Sequence, residues 1–209
     1  MKTFDIITEA DARNLEPGSS VALKPGGHVT PLAADTLKAR RISVVSSVAE
    51  ASLDGLAPVA DIKSVAIGSD HSGVALKAKL RDHLRQRGIS VLDVGTEGSD
   101  PVDYPDIAAQ VARLVARKEV DAAIVIDGAG IGSAMAANKI DGARAAMCTD
   151  KTLARYSREH NGANVLALGA TLISVDDAKA IVDTWMGTPM GEARYVRRLA
   201  KIRALEKAQ

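Results

Sequence analysis

The chain has 209 residues, 46% of them hydrophobic, enough to bury one sizeable core with an appendage. Its 27 Lys and Arg stand against 26 Asp and Glu and its aromatics make up only 2%, so neither a basic field nor a base-stacking platform supports nucleic-acid binding. A single cysteine, Cys148, excludes an internal disulfide; with no secretion-type apolar N-terminus and no run near the ~18 apolar residues of a membrane span, the expectation is a soluble cytoplasmic protein.

Residues 1–50 read as a small separate α/β unit. Thr8 caps a first helix, with Asp11 standing in for the usual Glu of a capping box, and Glu16-Pro17-Gly18 ends it. Val21 to Lys24 is a short strand stopped by Pro25-Gly26-Gly27, and His28 in that turn carries no assigned role. Thr30-Pro31 opens a second helix to about Arg41, followed by a strand over Ile42 to Val45. Residues 51–63 are small and polar and read as a linker.

From residue 64 to 209 the pattern becomes regular. Strands are expected at Val65–Gly68, Ile89–Val94, Ala122–Ile126, Ala143–Cys148 and Asn164–Leu168. Between them lie helices at Val74–Arg87, from about Asp106 to Lys118, over Ser133–Ala137, and from the Asp150 cap to His160; two more, Asp176–Trp185 and Gly191–Ala208, close the chain. Alternation of this kind predicts a doubly wound, five-stranded parallel sheet with helices on both faces. Ligands of such sheets bind beyond the carboxyl ends of the strands. That rule selects Asp70-His71, Asp103-Tyr104, the stretch Asp127 to Gly132, Asp150 and Gly169.

The stretch after the third strand is the most informative. Asp127 is followed by glycines at 128, 130 and 132 and then by a small-residue helix. A strand opening through glycines onto a helix start gathers unpaired N–H groups around a concavity suited to anions. An acid at its lip is poorly placed beside an anion but well placed to take a proton from something that becomes one. Two plainer readings of Asp127 are a helix cap and a nucleotide-ribose ligand; against the second, the third glycine of a dinucleotide fingerprint is Ser133 here. Asp70 can be a helix cap or an acid–base group. His160 sits where a helix dipole favours a cation, and Tyr104 in its loop can serve packing or recognition. Arg194 and Arg198 are four apart on one helix face, either solvated or suited to a phosphate.

Taken together, SVAIGSDHSGVALKAKL, VDYPD, the GAGIG loop running into AANKIDGARAAMC, SREHNGANVLALG and GEARYVRRLAKI resemble, in order and spacing, the type B ribose-5-phosphate isomerases and the related subunits of galactose-6-phosphate isomerase. The resemblance covers about residues 64–204 and leaves the first sixty outside. It implies a sugar-phosphate aldose–ketose isomerase working through an enediolate, without metal or cofactor, as a homodimer or homotetramer with sites shared between subunits. It further implies that Asp70 and His160 open the sugar ring, and that His71, Arg194 and Arg198 hold phosphate. Tyr104 and Asn161 then meet sugar hydroxyls, while the backbone of Gly128, Gly130, Ile131 and Gly132 receives the enediolate oxygen. Four positions depart from the family's usual pattern. Asp127 occupies a place where many relatives have Cys, Ser133 one where others have Glu, and Ala129 and Tyr195 replace a usual hydroxyl residue and a usual His. Asp127 is therefore the expected base, and the chain length of the sugar stays open.

Overall fold

The computed structural model describes residues 2–46, 56–190 and 193–206. The chain divides into two compact units, Met1–Leu56 and Ala57–Gln209. Residues 51–55 of the expected linker lie outside the described residues.

In the first unit β1 (Thr3–Ile7), β2 (Ser20–Val29) and β3 (Ser43–Ser46) form a parallel sheet in that order, crossed by α1 (Glu9–Asn14) and α2 (Pro31–Ala39). Thr8 and Asp11 form the reciprocal capping box that their spacing predicts. Ile7, Ala12, Leu15, Val21, Ala33, Leu37 and Ile42 make its small core. One expectation is corrected: β2 does not stop at Pro25. The register of β1 against β2 passes from Phe4↔Leu23 to Ile6↔His28, so Asp5 alone faces Lys24 to Gly27 and the strand continues past an irregularity. A Cβ on Gly27 would lie 2.5 Å from the Asp5 carbonyl oxygen, which is why that position is glycine.

The second unit is the doubly wound sheet. Its strands are β4 (Ser64–Ser69), β5 (Ser90–Asp93), β6 (Ala122–Asp127), β7 (Ala145–Met147) and β8 (Val165–Gly169), all parallel, in the order β5-β4-β6-β8-β7. The helices are α3 (Val74–Gln86), α4 (Tyr104–Ala116), α5 (Ile131–Ala137), α6 (Lys151–Glu159), α7 (Val175–Met186) and α8 (Ala193–Glu206). Alternation along β6 sorts the two faces. Ala122, Ile124 and Ile126 join Leu76, Leu80 and Leu84 of α3 and Ile181, Val182 and Trp185 of α7. Ala123 and Val125 join the alanine-rich α4 and α5. Every residue of β6 is buried, so it reads as the unbroken apolar run of a strand covered on both sides. None of the described helices is long and apolar enough to cross a membrane.

Two boundaries shift in ways that matter for the site. A 3-10 turn, His71–Gly73, intervenes between β4 and α3. Helix α4 begins at Tyr104, not Asp106, because Asp103 takes the N-cap position and Pro105 suits the first turn. Of the expected closing helix, residues 191, 192, 207 and 208 lie outside the described residues.

Candidate active site

The chain leaves β4 toward β5 on one side and returns to β6 on the other, so the carboxyl ends of β4 and β6 flank the crevice where a doubly wound sheet binds ligand. Asp70 and Asp127 end those strands. The Asp70 side chain is 6% exposed, and its Oδ1 accepts from Ser72 N (2.9 Å), Gly73 N (3.2 Å) and Ser72 Oγ (2.6 Å). The plain reading of Asp70 as a cap is thus realised, yet its second oxygen has no partner among the described residues. Ser72 is a site neighbour that motif reading passed over; its spacing from Asp70 is the signal of an Asx turn. The adjacent His71 is exposed, and its Nδ1 accepts from Val102 N at 3.4 Å. Tyr104 lies over the glycine loop: a Cβ at Gly132 would come 2.5 Å from its ring.

The glycine loop itself holds the main surprise. Asp127 is 5% exposed, and its carboxylate does not stand at the lip. Oδ1 accepts from Ala129 N (2.8 Å) and from Gly130 N, and Oδ2 accepts from Ser133 N (2.9 Å). The residue therefore fills part of the concavity with its own negative charge. The expectation of a backbone hole open to an enediolate oxygen is corrected to that extent: the Gly130 donor is already engaged. Ile131 and Gly132, whose N–H groups a first helical turn leaves unpaired, are not engaged by the carboxylate. Gly130 has φ of 78°, the left-handed conformation that lets the chain turn onto α5, and a Cβ there would strike the backbone of Leu168 at 2.8 Å. From the far side Thr171 donates through N (3.0 Å) and Oγ1 (2.7 Å) to the Gly128 carbonyl, and Ala170 N donates to that of Asp127 (2.8 Å). The loop is thus braced by β8 and the turn after it. Ser133 Oγ is buried without a partner among the described residues.

His160 and Asn161 lie elsewhere. Helix α6 returns from the carboxyl end of β7, so its last turn sits at the amino end of the sheet, before Val165 of β8. Val165 pairs with Ala123 while Gly169 pairs with Asp127, and those four steps of strand separate the two ends by roughly 13 Å. One chain therefore does not bring His160, Asn161 and Arg198 to Asp127. The His160 ring stacks on Tyr156 (centroids 4.7 Å, 17°) and packs at a tilt against Tyr195 (4.7 Å, 35°), and Arg198 lies 5.7 Å from the Tyr195 ring. Asn161 Nδ2 donates to the Tyr156 carbonyl at 3.1 Å. The Arg194 side chain lies outside the described residues. Beneath this cluster Arg158 is wholly buried, its guanidinium over Trp185 at 4.8 Å and donating to Ala163 O (2.9 Å) and Val59 O (2.7 Å). Burial pulls that guanidinium down to about 10, and the neighbouring Arg144 adds to the effect. A cavity of about 390 Å³ opens beside Asn161, between Arg144 and Glu206.

The sequence profile of the ribose/galactose isomerases matches residues 65–202. The chain belongs to that family. Ribose-5-phosphate isomerase B of Escherichia coli is 44% identical over 145 residues, which are 69% of this chain and 97% of that protein. D-erythrulose-4-phosphate isomerase of Pectobacterium atrosepticum is 36% identical, over 70% of this chain and 99% of that one. Among solved structures, ribose-5-phosphate isomerase B of Clostridium thermocellum has a TM-score of 0.68 at 48% identity, covering 69% of this chain and 98% of its own. This ribose/galactose isomerase family member is a sugar-phosphate aldose–ketose isomerase. Its first 64 residues lie outside the family match.

Proposed function

We propose that the isomerisation takes place at a site built from two copies of the chain. Asp70, His71, Tyr104, Asp127 and the loop Gly128, Gly130, Ile131 and Gly132 come from one copy; His160, Asn161, Arg194 and Arg198 come from the other. The observation that carries this reading is the separation of the two groups to opposite ends of one sheet, which leaves each incomplete alone.

In the proposed reaction Asp70 and His160 act on the closed sugar. One removes the anomeric hydroxyl proton, the other protonates the ring oxygen, the bond from C1 to that oxygen breaks and a C1 carbonyl forms. Asp127 then takes the proton from C2; the C2–H electrons form the C1–C2 double bond and the carbonyl pair moves onto O1. Return of that proton to C1, with the O2 proton passing to O1 as the C2 carbonyl forms, gives the ketose. Negative charge on O1 is stabilised by preorganised N–H donors, the largest electrostatic aid available to such a step. The seated carboxylate adds a condition: as the substrate oxygen enters the loop, Asp127 gives up its own N–H partners and turns toward the substrate carbon. A carboxylate deprived of donors in a closed site is a stronger base than one held by three of them. Arg194 and Arg198 hold the phosphate, with His71.

Ribose 5-phosphate is the first substrate to test, and erythrulose 4-phosphate the second, since relatives named for each cover nearly their full length with this chain. Subunit mixing tests the shared site. Asp127→Asn and His160→Gln proteins, each inactive alone, should regain about a quarter of wild-type activity when unfolded together and refolded, because half the dimers then carry one intact site. No recovery, with dimers formed, sinks the shared-site reading.

A further inference from the structure

We propose that Tyr195, acting with Tyr156, is a positioning residue that holds the His160 imidazole edge-on for ring opening. This rests on the role given to His160 above and adds two residues to it.

Both tyrosine rings pack against the imidazole with centroids at 4.7 Å, that of Tyr156 stacked at 17° and that of Tyr195 tilted at 35°. Aromatic pairs at that spacing attract, and the imidazole cannot swing about its Cβ–Cγ bond without loosening both contacts. One edge, Nε2, lies 3.8 Å from Glu159 Oε1, and Glu159 is held in turn by Arg155 at 3.3 Å; Nδ1 has no partner among the described residues. Each tyrosine also has a guanidinium near its ring, Arg155 over Tyr156 at 4.6 Å and Arg198 at 5.7 Å from Tyr195. The Tyr156 carbonyl accepts both the His160 N–H and the Asn161 side chain, each at 3.1 Å, so one helical turn sets two neighbouring site residues together. Tyr195 is 7% exposed although it sits on the same helix as exposed Arg197 and Arg198.

Chemistry supplies a readout that plain packing does not move. A five-carbon aldose 5-phosphate or a six-carbon aldose 6-phosphate closes into a ring and must be opened before the C2 proton is reached. A four-carbon 4-phosphate cannot close a five-membered ring, because its terminal oxygen is esterified. Steering of His160 is therefore needed for the first class and not for the second. The full-length protein and its Tyr195→Leu, Tyr195→Phe and His160→Gln variants are assayed with erythrulose 4-phosphate and with whichever of ribose 5-phosphate and galactose 6-phosphate the wild type turns over, alongside thermal melts. Tyr195→Leu is expected to lose at least tenfold in kcat on the cyclising sugar, with KM within about twofold, while turnover of erythrulose 4-phosphate changes less than about twofold; Tyr195→Phe restores the cyclising activity because the ring is kept. Equal loss on both sugars, or no loss on either, overturns the positioning role. If His160→Gln is silent on the cyclising sugar, the role of His160 falls and the proposal with it. If His160→Gln is impaired while Tyr195→Leu is not, only the proposal falls.

Discussion

The two ends of the larger sheet solve different problems with different materials. At the carboxyl end of β4 and β6 the functional groups are mainly backbone: N–H donors at Ala129, Gly130 and Ser133 gather on one carboxylate, and Asp70 is gripped in the same way by Ser72 and Gly73. At the amino end the groups are rings and cations, with His160 against two tyrosines and an arginine near each tyrosine ring. Backbone donors suit charge that grows on an oxygen at a fixed point; guanidiniums suit a phosphate, whose charge stays constant through the reaction. The separation teaches that candidate residues grouped by sequence lie at opposite ends of one sheet, which is the ground for proposing a site built from two copies.

The comparison can be broken most sharply at Asp127. Asp127→Asn is expected to lower kcat by about 10²-fold or more with KM little changed. An unchanged kcat in a folded protein would show that the carboxylate is only a cap for its loop. Next comes the support of the amino end: Arg158→Ala, which leaves the Ala163 and Val59 carbonyls without their donor and a void beside Trp185, should destabilise the chain by about 3 kcal/mol in urea unfolding. Arg158→Met, which refills the space, should lose less. A loss below 1 kcal/mol for the alanine variant would mean that this buried cation does not hold the end together. At the carboxyl end, Gly132→Ala would force the Tyr104 ring aside, since the added Cβ lies 2.5 Å from it. Because Tyr104 is 40% exposed and can move, KM should rise by roughly tenfold while the melting temperature holds within a few degrees.

A further effect, seen only at high pH, belongs to a group in neither region. Burial pushes the Cys148 thiol up to about 11, with a hydrogen bond involving Ser157 opposing and Asp150 adding to the shift. Between pH 9 and 11 the unfolded thiol has ionised while the folded one still holds its proton, so the unfolded state binds fewer protons and stability falls across that window. About 2 kcal/mol should be lost there and largely spared in Cys148→Ala, as measured by urea unfolding at each pH. Equal slopes in the two proteins would show that the thiol is not the group responsible.

The sequence by itself determined the doubly wound sheet, the helix caps at Thr8 and Asp150, and the cluster of candidate residues after β4 and β6. Those features depend on periodicity and on contacts a few residues apart, which a linear pattern carries in full. Even the return of His160 to the amino end was legible in principle, since a helix between parallel strands must bring the chain back. Tertiary structure alone decided two matters. It turned the Asp127 carboxylate onto Ala129, Gly130 and Ser133, where a sequence offers only an acid beside glycines. It also closed Tyr195 onto His160 across thirty-five positions of chain. The physical reason is the same in both: a side chain's direction is chosen by donors and surfaces that come near it only once the backbone has folded, and residue spacing along the chain does not encode them.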